Sequence, residues 1–486
     1  MSKTGNPERG ELTSYLFIAL FFILNSLFFS TSVSAQSEEE MKILRMYFKE
    51  EELVIAPTRA LKPLSQVAEN MSIVTAKEIE AMNAHTVAEV LERVTGMFVE
   101  FFGHDFGSDA SLLIQGSGPR HVLVLVDGMP WNLMVEGKAV TNSIPVRIIQ
   151  RIEIIKGPAS SSWGSSLGGV INIVTKDTGN NSKPTGSMSA SFGEKSTQDY
   201  TAEVSGKAGS VGYYLYAGRQ DSDGLRNNRY FERDSVYTKI NMPVSSDIQF
   251  MLTAGYSKLH INYGDLPSYD LTSTGITRAF FTTASVTAEL TEDISFEASF
   301  YTFKQKFIQN NNELSTGDQY LDAVYDEETI GGSGKFIWRD DIQTAVVGVD
   351  ISDGNLDQTL RAGQSLQSWR VPETSRSDPG IEKWAVFAND TITIGRFSIT
   401  PGIRHDHNNV SGDFTSPSLG AVYKLGKHTV LRVSVAKGFT SPPLSFTSGG
   451  GLFLDPNPDL KPERVWSYQA GVESWAAEYL RVKATF

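Results

Sequence analysis

From Thr185 onward, apolar and polar residues alternate with a period of two. Phe280, Thr282, Ala284, Val286, Ala288 and Leu290 interleave with Phe281, Thr283, Ser285, Thr287 and Glu289. Past the tight Thr291-Glu292-Asp293 turn, Ile294, Phe296, Ala298 and Phe300 alternate with Ser295, Glu297, Ser299 and Tyr301. Phe397, Ile399, Pro401 and Ile403 repeat the pattern against Ser398, Thr400, Gly402 and Arg404. One face suits lipid and the other a wet lumen, as in a transmembrane β-barrel. Long polar loops are expected near 220–233, 257–277, 304–326, 352–381 and 438–462, exchanged with short turns on the opposite rim.

The first third of the chain has a different rhythm. Ile152–Ile155 and Val170–Thr175 are short β-branched strands around a Gly/Ser/Pro segment, Gly157-Pro158 through Gly168-Gly169. That segment is too flexible for a helix interior and implies close backbone approach. A phosphate-binding loop would end in Lys-Ser/Thr, which Leu167-Gly168-Gly169-Val170 lacks. Upstream, Thr75 and Glu78 have capping-box spacing, and Val87, Val90, Leu91 and Val94 share one helical face that Gly96 ends. Val122–Val126 is apolar throughout and runs into the turn Asp127-Gly128, so it reads as a strand buried on both faces. Residues 63–176 therefore form a small α+β domain, and 185–486 the barrel part.

The N-terminus adds a destination. Lys3 and Arg9 precede an apolar run from Tyr15 to Phe29, and Val33-Ser34-Ala35 offers a cleavage site, so residues 1–35 read as a signal peptide. Residues 36–62 read as a flexible segment, polar at first, that carries the extended run Glu52-Leu53-Val54-Ile55-Ala56-Pro57. Such a run can add a strand to another protein's sheet, or serve as an ordinary first strand of the next domain. With 43 basic against 56 acidic residues, a nucleic-acid partner is not expected. The absence of cysteine removes disulfides, thiolate metal sites and cysteine nucleophiles.

The order of EELVIAPTR, SIVTAKEIE, VAEVLERVTGM, VLVLVDGMP and IEIIKGPASSSWGSSLGGVINIVTK resembles the plug domain of TonB-dependent outer-membrane receptors. The Asn457-Pro458-Asp459-Leu460-Lys461-Pro462-Glu463 run resembles a marker of the same family further along. The resemblance implies an N-terminal α+β plug inside a transmembrane β-barrel in the outer membrane of a Gram-negative bacterium, the plug facing the periplasm. It makes Glu52, Leu53, Val54, Ile55, Ala56 and Pro57 the TonB box. TonB and its inner-membrane energising complex are then partners, beside outer-membrane lipid and a metal-chelate ligand. No permanently bound cofactor and no enzymatic activity are implied.

Two departures concern the plug's latch. Gln115 in Leu113-Ile114-Gln115-Gly116, and Lys156 before Gly157-Pro158, stand where the family usually has arginines paired to barrel glutamates. Lysine keeps a charge without the bidentate fork, and glutamine keeps only hydrogen bonding. Ligand contacts are expected from apical plug loops: Phe101, Phe102, His104, Trp131, Asn132 and Trp163, whose aromatic faces suit planar chelates, or which pack on the barrel wall. His405-Asp406-His407 is read as a solvated rim segment in preference to a metal pair.

The resemblance implies uptake of a scarce, large nutrient, foremost a ferric siderophore, with cobalamin, haem or another metal chelate as the alternative. Haem receptors of the family typically carry a Phe-Arg-Ala-Pro loop, and the matching Gly438-Phe439-Thr440-Ser441-Pro442 lacks the arginine. A passive porin or adhesin would need neither plug nor TonB box. Roughly 15 strands are expected here against about 22 in plugged transporters, which makes this an incomplete barrel and the chain a C-terminally truncated, or non-functional, receptor.

Overall fold

The computed structural model describes residues 53–426, 428–449, 454–477 and 480–486. The segment expected to be a signal peptide and Glu52 of the expected TonB box lie outside them. Two bodies appear, as the change of hydrophobic period requires: a mixed α+β plug and a long antiparallel sheet.

The plug opens with two short paired strands, β1 (Leu53–Val54) and β2 (Lys62–Pro63). Strand β3 (Asn70–Thr75) leads into helix α1 (Ala76–Met82), where Thr75 and Glu78 form the expected capping box. Helix α2 (Val87–Glu92) buries Val87, Val90 and Leu91. A hairpin of β4 (Met97–Phe101) and β5 (Ala110–Ile114) follows. The main plug sheet has the order β3-β8-β9-β6-β7, with β6 (Val122–Val126), β7 (Met129–Pro130), β8 (Ile149–Lys156) and β9 (Gly169–Thr175). Only β6 and β9 run parallel. Ile152, Ile154, Ile171 and Ile173 are buried on one face and Ile155 and Val170 on the other, so the central strands are covered on both faces, as their continuous apolar runs require.

Between β8 and β9 lies the Gly/Ser knot, which contains one helical turn, α3 (Ser160–Trp163), where sequence composition argued against any helix. The close approach it predicts is present. Gly169 sits at φ 147°, and a Cβ there would collide with the Ile155 carbonyl.

The second body is a sixteen-stranded sheet. Its first strands are β10 (Thr185–Phe192), β11 (Gln198–Ala208), β12 (Val211–Ser222), β13 (Phe231–Pro243), β14 (Ile248–Leu266) and β15 (Leu271–Glu289). Then come β16 (Ile294–Glu313), β17 (Gln319–Arg339), β18 (Gln343–Ala362), the short β19 (Thr374–Ser377) and β20 (Gly380–Ile394). The last are β21 (Phe397–Asn408), β22 (Gly412–Lys424), β23 (Thr429–Thr440), β24 (Glu463–Ala477) and β25 (Leu480–Thr485). Each pairs antiparallel with its neighbour, β19 branches from β18, and among the described residues β10 and β25 do not pair with one another. The sheet is an incomplete barrel. No described helix is long and apolar enough to cross a membrane, and the crossing elements are these strands.

Two of the expected loops are corrected. Stretches 257–277 and 304–326 are mostly strand, because β14–β15 and β16–β17 continue as paired ribbons well past the membrane. Polar residues such as Asn310 and Asp322 pair across that ribbon. Polarity there reports water on both faces, not irregular backbone.

Plug and barrel share one apolar core. Val87, Ile114, Trp131 and Ile152 of the plug belong to the same buried cluster as Tyr214, Tyr237, Phe281 and Phe303 of the wall.

Candidate functional site: the docked N-terminal run and its relay

The run expected to carry TonB binding is folded against the plug. Strand β8 brings Glu153, which is fully buried, beneath it: Ile55 and Ala56 donate their backbone N–H groups to Glu153 Oε2 at 3.1 and 2.8 Å. Arg151 Nε holds the other carboxylate oxygen at 2.7 Å. The α3 turn closes the far side, Trp163 Nε1 donating to the Ala56 carbonyl at 2.6 Å and Ser162 Oγ to that of Pro57 at 2.7 Å. Leu53, Val54 and Ala56 are buried. A wholly flexible 36–62 segment is therefore corrected for its described part. From Leu53 onward the chain is pinned, because an extended run leaves backbone groups that the buried site must satisfy.

Arg59, two residues past Pro57, ties this run to the wall. It has a left-handed backbone (φ 63°), bonds Asp350 at 2.6 Å and Ser333 at 2.8 Å, and lies between the rings of Trp163 and Phe387. Asp350 is shared: Arg404 reaches the same oxygen at 2.6 Å and also binds Asp406 at 2.9 Å. A chain of charges thus runs from the docked segment to Asp406. Arg59, Asp350, Arg404 and Asp406 all border a cavity of about 560 Å³ between plug and wall, which extends to Met134 and Leu444 at its apical end. Close to Arg59 in the chain, Lys62 is buried with Nζ 3.2 Å from Thr391 Oγ1, and burial pushes its ammonium down to about 8.

The expected ligand residues separate into three groups. Phe102 and His104 are on the β4–β5 loop, Phe102 exposed, with Phe101 half-buried beside His104. That loop is moored to the barrel, Arg229 bonding Asp105 at 3.0 Å and the Phe102 carbonyl at 3.1 Å. Asn132 and Trp163 border the cavity, but their polar groups are spent within the plug: Asn132 Oδ1 accepts from Val124, and its Nδ2 donates to the Val122 and Gly137 carbonyls. Trp163 lies at the docked run, away from the apical loops. Trp131 is buried with its ring 4.6 Å from Phe303 and 5.4 Å from Phe281, a wedge between plug and wall.

The latch candidates behave differently from one another. Gln115 is exposed at φ 49°, with its N–H on the Gly96 carbonyl. Lys156 turns into the plug, where Nζ donates to Ser72 Oγ at 2.8 Å and to the Thr95 carbonyl, and burial pulls its ammonium below the usual range. Its contact with the barrel is through the backbone, Gln469 Nε2 donating to the Lys156 carbonyl at 2.9 Å.

Glutamates of the wall do hold the plug, at positions that sequence reasoning passed over. Glu327, 5% exposed, accepts the N–H groups of Met134 and Val135 at 2.7 and 2.9 Å. Glu463, the last residue of the Asn-Pro marker, binds His121 at 2.8 Å and Arg120. The signal that could have found this contact was His121, alone at its strand start. Wall cations cap plug carbonyls: Arg233 that of Asn142, Arg432 that of Val67, Arg404 that of Ser162. His405 and His407 point outward, bonded to Thr415 and Asp413, and no group of three metal-ligating side chains exists among the described residues.

Two family models match the sequence. The one described as "TonB dependent receptor-like, beta-barrel" covers residues 162–486, and "TonB-dependent Receptor Plug Domain" covers 63–170. The chain belongs to the TonB-dependent receptors. This family, of receptors and transporters and not of enzymes, resides in the Gram-negative outer membrane, engages TonB and binds metal chelates. Among curated relatives, the vitamin B12 transporter BtuB of Vibrio vulnificus is 26% identical over 439 residues, covering 86% of this chain and 67% of that protein. BtuB of Photobacterium profundum is 24% identical, covering 86% and 66%. This receptor thus spans about two thirds of their length. Among solved structures, a mutant of the ferric enterobactin receptor PfeA from Pseudomonas aeruginosa superposes with a TM-score of 0.71 at 19% identity, covering 87% of this chain and 71% of that one. The siderophore receptor PirA from Acinetobacter baumannii gives 0.66 at 18%, covering 85% and 69%.

Proposed function

We propose that this receptor imports a ferric siderophore across the outer membrane, energised by TonB pairing with Leu53–Pro57. The observation that carries the reading is the connection between that run and the cavity through Arg59, Asp350, Arg404 and Asp406. A ligand that displaces Asp350, or moves it together with Arg404, takes away the carboxylate that holds Arg59. It thereby weakens the hold on the docked run by as much as it prefers the altered arrangement. The freed run can then add a strand to TonB, and a pull on it acts on β8 through Glu153. Arg120, Lys383 and Arg404 line the cavity together with Glu327, Asp350 and Asp406, a mixed charged surface that suits a polar chelate with both donor and acceptor groups.

Cobalamin is the second reading, and the observation in its favour is that both curated relatives above are vitamin B12 transporters. Titration of the purified receptor with ferric catecholate, ferric hydroxamate and cyanocobalamin, followed by tryptophan fluorescence, separates the two. Saturable binding of a ferric chelate, with capture of the TonB periplasmic domain raised by that ligand and lost on deleting Leu53–Ile55, is expected. Binding of cyanocobalamin alone transfers the assignment to the second reading. Capture indifferent to the deletion removes the TonB role of this segment.

A further inference from the structure

The outward face of the sheet carries a row of cations that neither the plug nor the cavity uses. Register places Lys258 of β14 directly opposite Arg278 of β15, and Arg278 opposite Lys306 of β16. Their sequence neighbours Leu259, Thr277, Ala279 and Gln305 are buried toward the lumen, so all three cations point away from it. Lys304, two residues before Lys306, lies on the same face opposite Phe280. Like charges directly opposite one another on adjacent strands repel and destabilise the pairing unless an anion lies between them.

Local carboxylates cover only part of this charge. Lys306 pairs with Asp326 at 2.7 Å and Lys304 with Glu328 at 2.8 Å. Asp234, opposite Lys258, is bonded to Arg219 at 2.9 Å. Among the described residues, Lys258 and Arg278 have no ion-pair partner, and both are exposed.

Height fixes what can reach them. Lys258 is ten residues above Ile248, Arg278 eleven above Glu289 and Lys306 twelve above Ile294, counted from the short periplasmic turns. Strands tilted in a barrel climb ~2.5 Å per residue, so the row stands roughly 25–30 Å above those turns, at the outer edge of an apolar band about 25 Å tall. One step below, Tyr256 and Phe280 face each other across the same two strands, both exposed, at the depth of acyl chains.

We propose that Lys258, Arg278 and Lys306, with Lys304 beside them, form a docking site for the phosphorylated headgroup of an outer-leaflet lipid, whose acyl chains lie along Tyr256 and Phe280. It rests on the outer-membrane reading above and is independent of which ligand is imported. Phosphate oxygens supply the anion the row lacks, and the arginine fork at its centre suits bidentate phosphate recognition.

The receptor reconstituted in phosphatidylcholine nanodiscs doped with bisphosphorylated lipid A, or with the same lipid after phosphatase treatment, tests this by native mass spectrometry of the lipid retained on transfer to detergent. Retention of the phosphorylated form is expected to exceed that of the dephosphorylated one by about tenfold, as two solvent-exposed ion pairs imply, and to shrink as salt rises. The double variant Lys258→Gln/Arg278→Gln loses the preference, while Arg396→Gln/Lys424→Gln at the periplasmic turns keeps it. Equal retention of both lipids by the unaltered receptor overturns the site and leaves the membrane reading standing. Failure to take up either lipid overturns both.

Discussion

Glu153 and Ala56 meet at 2.8 Å, a buried carboxylate of the central plug sheet accepting the backbone N–H of the run proposed as the TonB box. Ile55 shares the same oxygen. The grip is on main chain, so it survives side-chain changes in the run and depends on Glu153 staying in place. Glu153→Ala removes two charge-assisted bonds worth about 1.5–3 kcal/mol each before relaxation. With a cysteine-free background, Val54→Cys is a unique reporter. Its labelling by a thiol reagent should rise at least about tenfold in the Glu153→Ala background, and an unchanged rate would show that the box is held by something else.

Arg59 and Asp350 are both largely buried, so Asp350→Asn strands the Arg59 guanidinium, while Arg59→Ala leaves Asp350 with Arg404. Breaking such a pair costs about 3–5 kcal/mol, more than an exposed bridge. Arg59→Ala and Asp350→Asn should each expose the box to the same reporter, and the double variant should add little to either. Arg59→Lys should rescue poorly, since lysine cannot reach Ser333 and Asp350 together or stack between Trp163 and Phe387. Additive effects in the double variant would separate the two residues.

Lys62 gives the docking a pH dependence with a definite sign. Its pKa is about 8 when docked, below the ordinary 10.5 of an exposed lysine. Below pH 8 the ammonium is charged in both states and burial costs its full amount. Between about pH 8 and 10.5 the docked lysine is neutral while the free one is still charged, so docking strengthens by up to about 3 kcal/mol. A nitroxide at Val54→Cys should report a shrinking mobile fraction over that window, and Lys62→Met should flatten the curve.

Two wall glutamates should differ in consequence. Glu327 is buried, and Glu327→Ala leaves the Met134 and Val135 N–H groups unsatisfied at about 1–3 kcal/mol each. Hydrogen exchange of those two amides should quicken markedly. Glu463 is half-exposed, and Glu463→Gln should change thermal stability by less than about 1 kcal/mol. Equal destabilisation by both would contradict this burial argument.

Gly169→Ala tests the knot. The residue has a positive φ and faces the Ile155 carbonyl, so alanine adds backbone strain to a collision and should cost the plug well over ~1 kcal/mol by calorimetry. Gly116→Ala is the comparison: its φ is also positive, but no atom lies near its Cβ position.

What sequence could reveal here was whatever is decided within a few residues. The Thr75–Glu78 cap, the strands Ile149–Lys156 and Gly169–Thr175, the close approach at Gly169 and the alternation around Phe280 and Phe296 are all local. Side-chain destinations were not. Lys156 looks like a latch until Ser72 and Thr95 claim its ammonium, and Trp131 looks like a ligand platform until Phe303 covers it. Contacts such as Glu327 with Met134 span nearly two hundred residues and leave no periodic trace. Loop lengths misled for a related reason, since a strand wet on both faces has no apolar alternation to report it.

The wall grips the plug largely by its carbonyls and amides, through Arg233, Arg432, Arg404, Gln469 and Glu327. A lock that reads backbone is indifferent to spelling. Plug side chains at Asn142, Val67, Ser162 and Lys156 are released from the duty of recognising the wall, and answer only to their buried surroundings within the plug. Plugs and barrels of separate ancestry should therefore be interchangeable to a degree their low sequence identity would not lead one to expect.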